Sequence, residues 1–152
     1  MRYTSTSGSL QSCLAGHESQ DVQTVLRNGG CVNQIVGTYS DSSANIMVIV
    51  FVEPMTNSQT ATAGYNSLSS AYDNDWGLWC PKTGTGAQIC DNGEDTSRAT
   101  QFGYTNRTHR YLIHTLAIYA NLGTDKSDTP WTDSAASAAV EAAGPQNYAG
   151  NR

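Results

Sequence analysis

Asn45-Ile46-Met47-Val48-Ile49-Val50-Phe51-Val52-Glu53 holds seven consecutive apolar residues between two polar ones. The run is rich in β-branched residues, and Pro54 ends it. Both faces of such a strand are apolar, so it belongs at the centre of a sheet with cover on both sides. Seven residues fall far short of the roughly twenty that cross a bilayer as a helix. Asp41-Ser42-Ser43 reads as a turn just before it, which makes Val32 to Tyr39 the neighbouring strand.

Outward from this pair, the pattern alternates between helix and strand. Leu10 to Arg27 carries scattered apolar residues, and Gly29-Gly30 closes it as a helix C-terminus. Ser58 to Tyr72 fits an amphipathic helix with Ala61, Tyr65, Leu68, Ala71 and Tyr72 on one side. Residues 76–90 read as a hairpin around Pro81-Lys82-Thr83-Gly84-Thr85-Gly86. Arg98 to Tyr104 and Tyr111 to Asn121 are expected as two antiparallel strands joined around 105–108. The second also fits a helix, but its Tyr, Ile and Thr content favours strand. Pro130 opens a helix to Ala143, with Trp131, Ala135, Ala138, Ala139 and Ala142 expected against the sheet. The fold class is therefore α+β: a mostly antiparallel sheet of about five strands with three packed helices, stapled by two disulfides. Residues 1–9 are expected as a flexible arm, 10–144 as one domain, and 145–152 as a tail.

Composition explains the staples. Leu, Ile, Val and Phe number only 24 of 152 residues, so the aliphatic core is thin. Eight Tyr, three Trp and four Cys argue for a folded chain rather than a disordered one. None of the cysteines lies in a CxxC pair, which leaves zinc and thioredoxin-type sites poorly supported. Cys13 with Cys31 and Cys80 with Cys90 are the favoured bridges; four buried thiols are the alternative. Paired cysteines imply an oxidising compartment, either secreted or at the cell surface. The N-terminus does not read as a signal peptide, so the expectation is either a cytosolic chain or a leader outside this sequence. The net charge of −5, with only eight Lys plus Arg, argues against a general nucleic-acid binder.

No GxSxG, HExxH, Walker loop or dinucleotide-binding motif is present. The acidic groups lack EF-hand spacing, so no metal and no cofactor is indicated. His114, among Leu112, Leu116 and Ile118, reads as a hydrogen-bonded core histidine. Tyr72, Trp76 and Trp79 would make a glycan- or protein-binding surface if exposed, and the missing core if buried. Arg98, Arg107, His109 and Arg110 form the basic group of an acidic chain. With a carboxylate such as Glu53 they would suit a small secreted phosphodiesterase or ribonuclease. Cys80-Pro81-Lys82-Thr83 resembles the reactive loop of subtilisin-inhibitor-type secreted inhibitors. That resemblance spans four residues and implies Lys82 as the residue entering a protease pocket. The cysteine spacing and the strand pattern elsewhere depart from that family.

The leading expectation is a non-enzymatic secreted or cell-surface interaction or assembly module with a protein or glycan partner. Its surface is expected at the Trp-bearing 76–90 segment, the basic hairpin end or the N-terminal arm. A secreted hydrolase using His109 with Arg107 and Arg110, and an inhibitor presenting Lys82, are the alternatives.

Overall fold

The computed structural model describes residues 2–14, 18–69, 73–92 and 95–144. Five strands, β1 (Tyr3–Ser12), β2 (Asn33–Asp41), β3 (Ile46–Pro54), β4 (Gln101–Thr108) and β5 (Tyr111–Tyr119), form one sheet in the order β1-β2-β3-β5-β4. Every neighbouring pair is antiparallel. The helices are α1 (Gln20–Asn28), α2 (Ser58–Leu68), the single turns α3 (Asp73–Trp76) and α4 (Asp95–Arg98), and α5 (Thr129–Ala142). The α+β class, the antiparallel sheet and both disulfides agree with the sequence reading.

The central position of β3 follows from its composition. Ile46 to Glu53 is buried without interruption, flanked by β2 and β5. Its alternate side chains feed two separate cores. Ile46, Val48, Val50 and Val52 meet Ile113, Ala117 and the α5 residues Ala135, Ala136 and Val140. Met47, Ile49 and Phe51 point the other way, to Val36, Leu116, Ile118, Ile89 and Ala99. Along that second face α1, α2 and α3 add Val22, Leu26, Ala61, Leu68 and Trp76 around Met55 and Leu112.

The β2–β3 turn is held by one buried carboxylate. Asp41 Oδ1 accepts from the backbone N–H of Asn45 and of Ile46, each at 2.8 Å. Those bonds satisfy donors that the left-handed Ala44 (φ 57°) turns inward. Helix α1 is closed in by Ser19, whose hydroxyl accepts from Val22 N–H, and by Gly29 at its end.

Several expectations are corrected. Residues 1–9 are not a free arm: β1 takes Tyr3–Ser12, and the helix expected from Leu10 starts only at Gln20. An edge strand draws its hydrogen bonds from one partner and leaves much of its side-chain surface in solvent, so Ser, Thr and Gly suffice and no apolar alternation marks it. The 76–90 segment holds no strands; it crosses the sheet as irregular backbone ending in a 3-10 turn at Ile89–Asn92. Gly86 (φ 87°) packs so close to Met47 that a Cβ there would overlap its sulfur. The last hairpin turns at His109-Arg110 rather than at 105–108, because Thr105 to Thr108 still pair with His114 to Tyr111. Trp131 is 56% exposed rather than against the sheet; the buried stripe of α5 runs through Thr132, Ala135, Ala136 and Val140. The tail 145–152 lies outside the described residues.

Cys13–Cys31 closes 18 residues and Cys80–Cys90 closes 10. No described cysteine is free. The chain-entropy relation assigns each bridge about 3 kcal/mol, slightly more for the longer loop. Replacing Cys13 and Cys31 by Ala should lower the urea unfolding free energy by at least that amount, since Cys13 is also fully buried. The Cys80 and Cys90 double variant should lose less.

Candidate functional site

The aromatic group expected near the hairpin does not form an exposed surface. Trp76 is 1% exposed, and its ring stacks on His114 with centroids 4.3 Å apart and planes 6° from parallel. Trp79 is half-buried against the Met47–Leu116 core. Tyr72 lies outside the described residues. Lys82 is exposed beside the buried Pro81 in the disulfide-closed loop.

The basic residues divide between the two ends of β4. Arg107, His109 and Arg110 share the hairpin end. Arg98 closes α4 at the other, where its carbonyl accepts from Lys126 Nζ at 3.0 Å. Six strand steps from Gln101 to Arg107 separate the ends by about 20 Å. Arg110 is already engaged: Nη1 donates to the Met55 carbonyl at 3.1 Å, and its guanidinium lies 5.3 Å over the Tyr111 ring. The register puts Arg107 on the same sheet face as Glu53, two strands away across Leu112, but Arg107 is exposed at the sheet edge and Glu53 is buried. It points into the core beside Glu18, whose charge, after burial itself, is what raises the Glu53 pKa. The set required for phosphodiester chemistry is therefore not assembled around Glu53.

A buried polar cluster occupies that core instead. Gln34 on β2 and Glu53 on β3 lie one step beyond the paired Ile35 and Val52. Gln34 Nε2 donates to Glu18 Oε1 at 3.1 Å and to the Ser12 carbonyl at 3.2 Å. Both carboxyl oxygens of Glu53 are buried without a hydrogen-bond partner among the described residues. Burial therefore keeps this group protonated well above the usual carboxylate range. His114 Nδ1 bonds Thr105 Oγ1 at 2.9 Å, while Nε2 has no hydrogen-bond partner among the described residues. Desolvation lowers its pKa from 6.5 to about 3, so the ring is neutral. This is the hydrogen-bonded core histidine that the sequence indicates, sealed under Trp76. Among the described residues no three His, Cys, Asp or Glu side chains gather as metal ligands.

The open surface lies across the sheet. Helix α5 packs mainly on β4, β5 and β3. Beside it runs a groove of about 650 Å³ with Val48, Val50 and Val52 on its floor. Ile35, Gly37, Tyr39 and Tyr3 form one wall, and Ala135, Ala138, Ala139 and Ala142 the other. Ile35 is 56% exposed, and Leu10, its register partner on β1, is 66% exposed. Sequence reasoning missed this site because the α5 alanines read as close packing against the sheet. The available signal was Ile35, Gly37 and Tyr39, the alternate residues of β2 that share the face of Val48, Val50 and Val52.

The two buried groups titrate in opposite senses. Between about pH 3 and 6.5 the unfolded chain binds the extra proton at His114, so stability rises with pH. Above about pH 4.5 the folded chain retains a proton at Glu53 that the unfolded chain releases, so stability falls with pH. Urea midpoints measured across pH should plateau between about 4.5 and 6.5 and decline on both sides. Glu53→Gln should flatten the alkaline decline and leave the acid one; His114→Gln should do the reverse.

No protein-family model, curated protein or solved structure gives a significant match to this chain.

Proposed function

We propose that this chain is a non-enzymatic binding module of a secreted or cell-surface complex, and that its partner, a protein or a glycan, meets the open half of the sheet face. The observation that carries this reading is the apolar face left by α5, with Leu10 and Ile35 turned to solvent and the groove beside them. Contiguous exposed apolar surface of this kind usually marks an interaction site. Two disulfides fit an oxidising environment, and no described helix is long and apolar enough to cross a membrane. The hydrolase alternative loses ground, because Glu53 is buried beside another carboxylate and Arg98 sits at the far end of β4.

A photo-cross-linking residue at Ile35, exposed to the native extracellular fluid, should capture a partner that the same residue at Arg107 does not. Equal capture at both positions, or none at Ile35, ends this reading.

A second reading, protease inhibition through Lys82, has one observation in its favour. Lys82 projects from a disulfide-closed loop directly after a buried proline. On that reading the protein should inhibit trypsin and Lys82→Ala should not; no inhibition by the parent protein excludes it.

A further inference from the structure

We propose that the groove between α5 and β2 is a small-molecule site, and that it takes the aliphatic chain of an uncharged ligand. The inference rests on the open face being the working surface, and it goes further by naming what fills the deep part of that face.

Size comes first. The volume of about 650 Å³ lies within the range of small-molecule pockets, about 300–1,000 Å³. The lining runs along α5 from Ala135 to Ala142 and along β2 from Ile35 to Tyr39. Seven helical steps span about 10.5 Å. Four strand steps span about 13 Å. The space is therefore elongated, running along both walls.

Chemistry narrows the occupant further. No charged side chain lines the groove among the described residues. A charged group placed there would lose its hydration without a counter-charge. An extended peptide would fit by volume, but its backbone N–H and C=O groups would face valines and alanines. Among the described residues, the polar side-chain groups on the lining are the hydroxyls of Tyr3, Tyr39 and Tyr111. Three phenols can meet one hydroxyl or ester group; they cannot satisfy a run of peptide bonds. A methylene chain needs no such partners and gains dispersion contacts along both walls.

The space also depends on residue choice. Gly37 contributes no side chain to the wall, and four alanines of α5 contribute one methyl each. Ala138 and Ala142 are exposed on the helix surface, so a larger side chain at either could enter the groove without disturbing the buried stripe.

The test is a titration of the full chain with N-phenyl-1-naphthylamine, a neutral fluorophore, followed by competition with decan-1-ol. The expected result is saturable binding of one probe per chain, displaced by decan-1-ol. Ala138→Trp and Ala142→Trp should each weaken the probe tenfold or more with unchanged far-ultraviolet circular dichroism, while Lys82→Ala should have no effect. Absence of saturable binding, failure of decan-1-ol to displace the probe, or full binding by both Trp variants overturns the proposal. So does probe release on self-association, which makes a second copy the occupant. A variant ending at Gly144 that binds the probe where the full chain does not makes residues 145–152 the occupant, with the same consequence. Probe binding without a cross-linked partner at Ile35 leaves this site standing and ends the macromolecular reading; a cross-linked partner without probe binding does the opposite.

Discussion

A strand that is apolar on both faces must have cover on both, and β3 imposes that requirement on the whole molecule. Its eight buried residues from Ile46 to Glu53 divide between two cores. One is closed by a single helix of small residues. The other is closed by α1, α2 and a long irregular segment with little hydrogen-bonded structure of its own. The two disulfides serve this second layer: Cys13–Cys31 ties the end of β1 to the chain leaving α1, and Cys80–Cys90 closes the irregular segment over Met47. With few large aliphatics available, restricting the unfolded chain takes over part of the stabilisation that packing would otherwise supply.

The same second layer explains why polar groups are buried there. Glu53 ends the apolar run, yet it stays on the covered face because strand alternation puts it in line with Met47, Ile49 and Phe51. Keeping it neutral is less costly than burying its charge, and the neighbouring Glu18 adds to that preference. His114 meets the same environment with the opposite sign of titration. The cluster therefore behaves as part of the core, with a stability that depends on pH. A catalytic pair would need access to solvent, and Trp76 covers this one.

The asymmetry of the first layer carries the functional argument. One helix packs mainly on three strands of a five-stranded sheet and leaves the other two largely open. A protein with so little aliphatic residue to spare nevertheless places Leu10 and Ile35 in solvent on that open half, next to a groove whose walls are kept low by alanine and glycine.

The period-two and unbroken apolar patterns of the sequence determined β2, β3 and β5, and Pro130 with the alanine-rich stretch after it determined α5. Each of these is a local signal, readable because strand and helix periods differ. Cysteine spacing around a Gly- and Pro-rich loop was likewise enough to pair Cys80 with Cys90. What only the tertiary structure decided is where unpatterned segments go. β1 became a strand because β2 offered it an unpaired edge, a long-range hydrogen-bonding demand that Ser and Thr side chains do not announce. Residues 76–90 stayed irregular because they had to lie flat across Met47 rather than pair with each other. Likewise, the sequence shows that α5 is small-sided, but only its placement over β4 and β5 decides that those alanines border an open groove. The physical reason is the same in each case: periodicity records which face of an element is apolar, while the extent of cover over that face is set by contacts between residues distant in the chain.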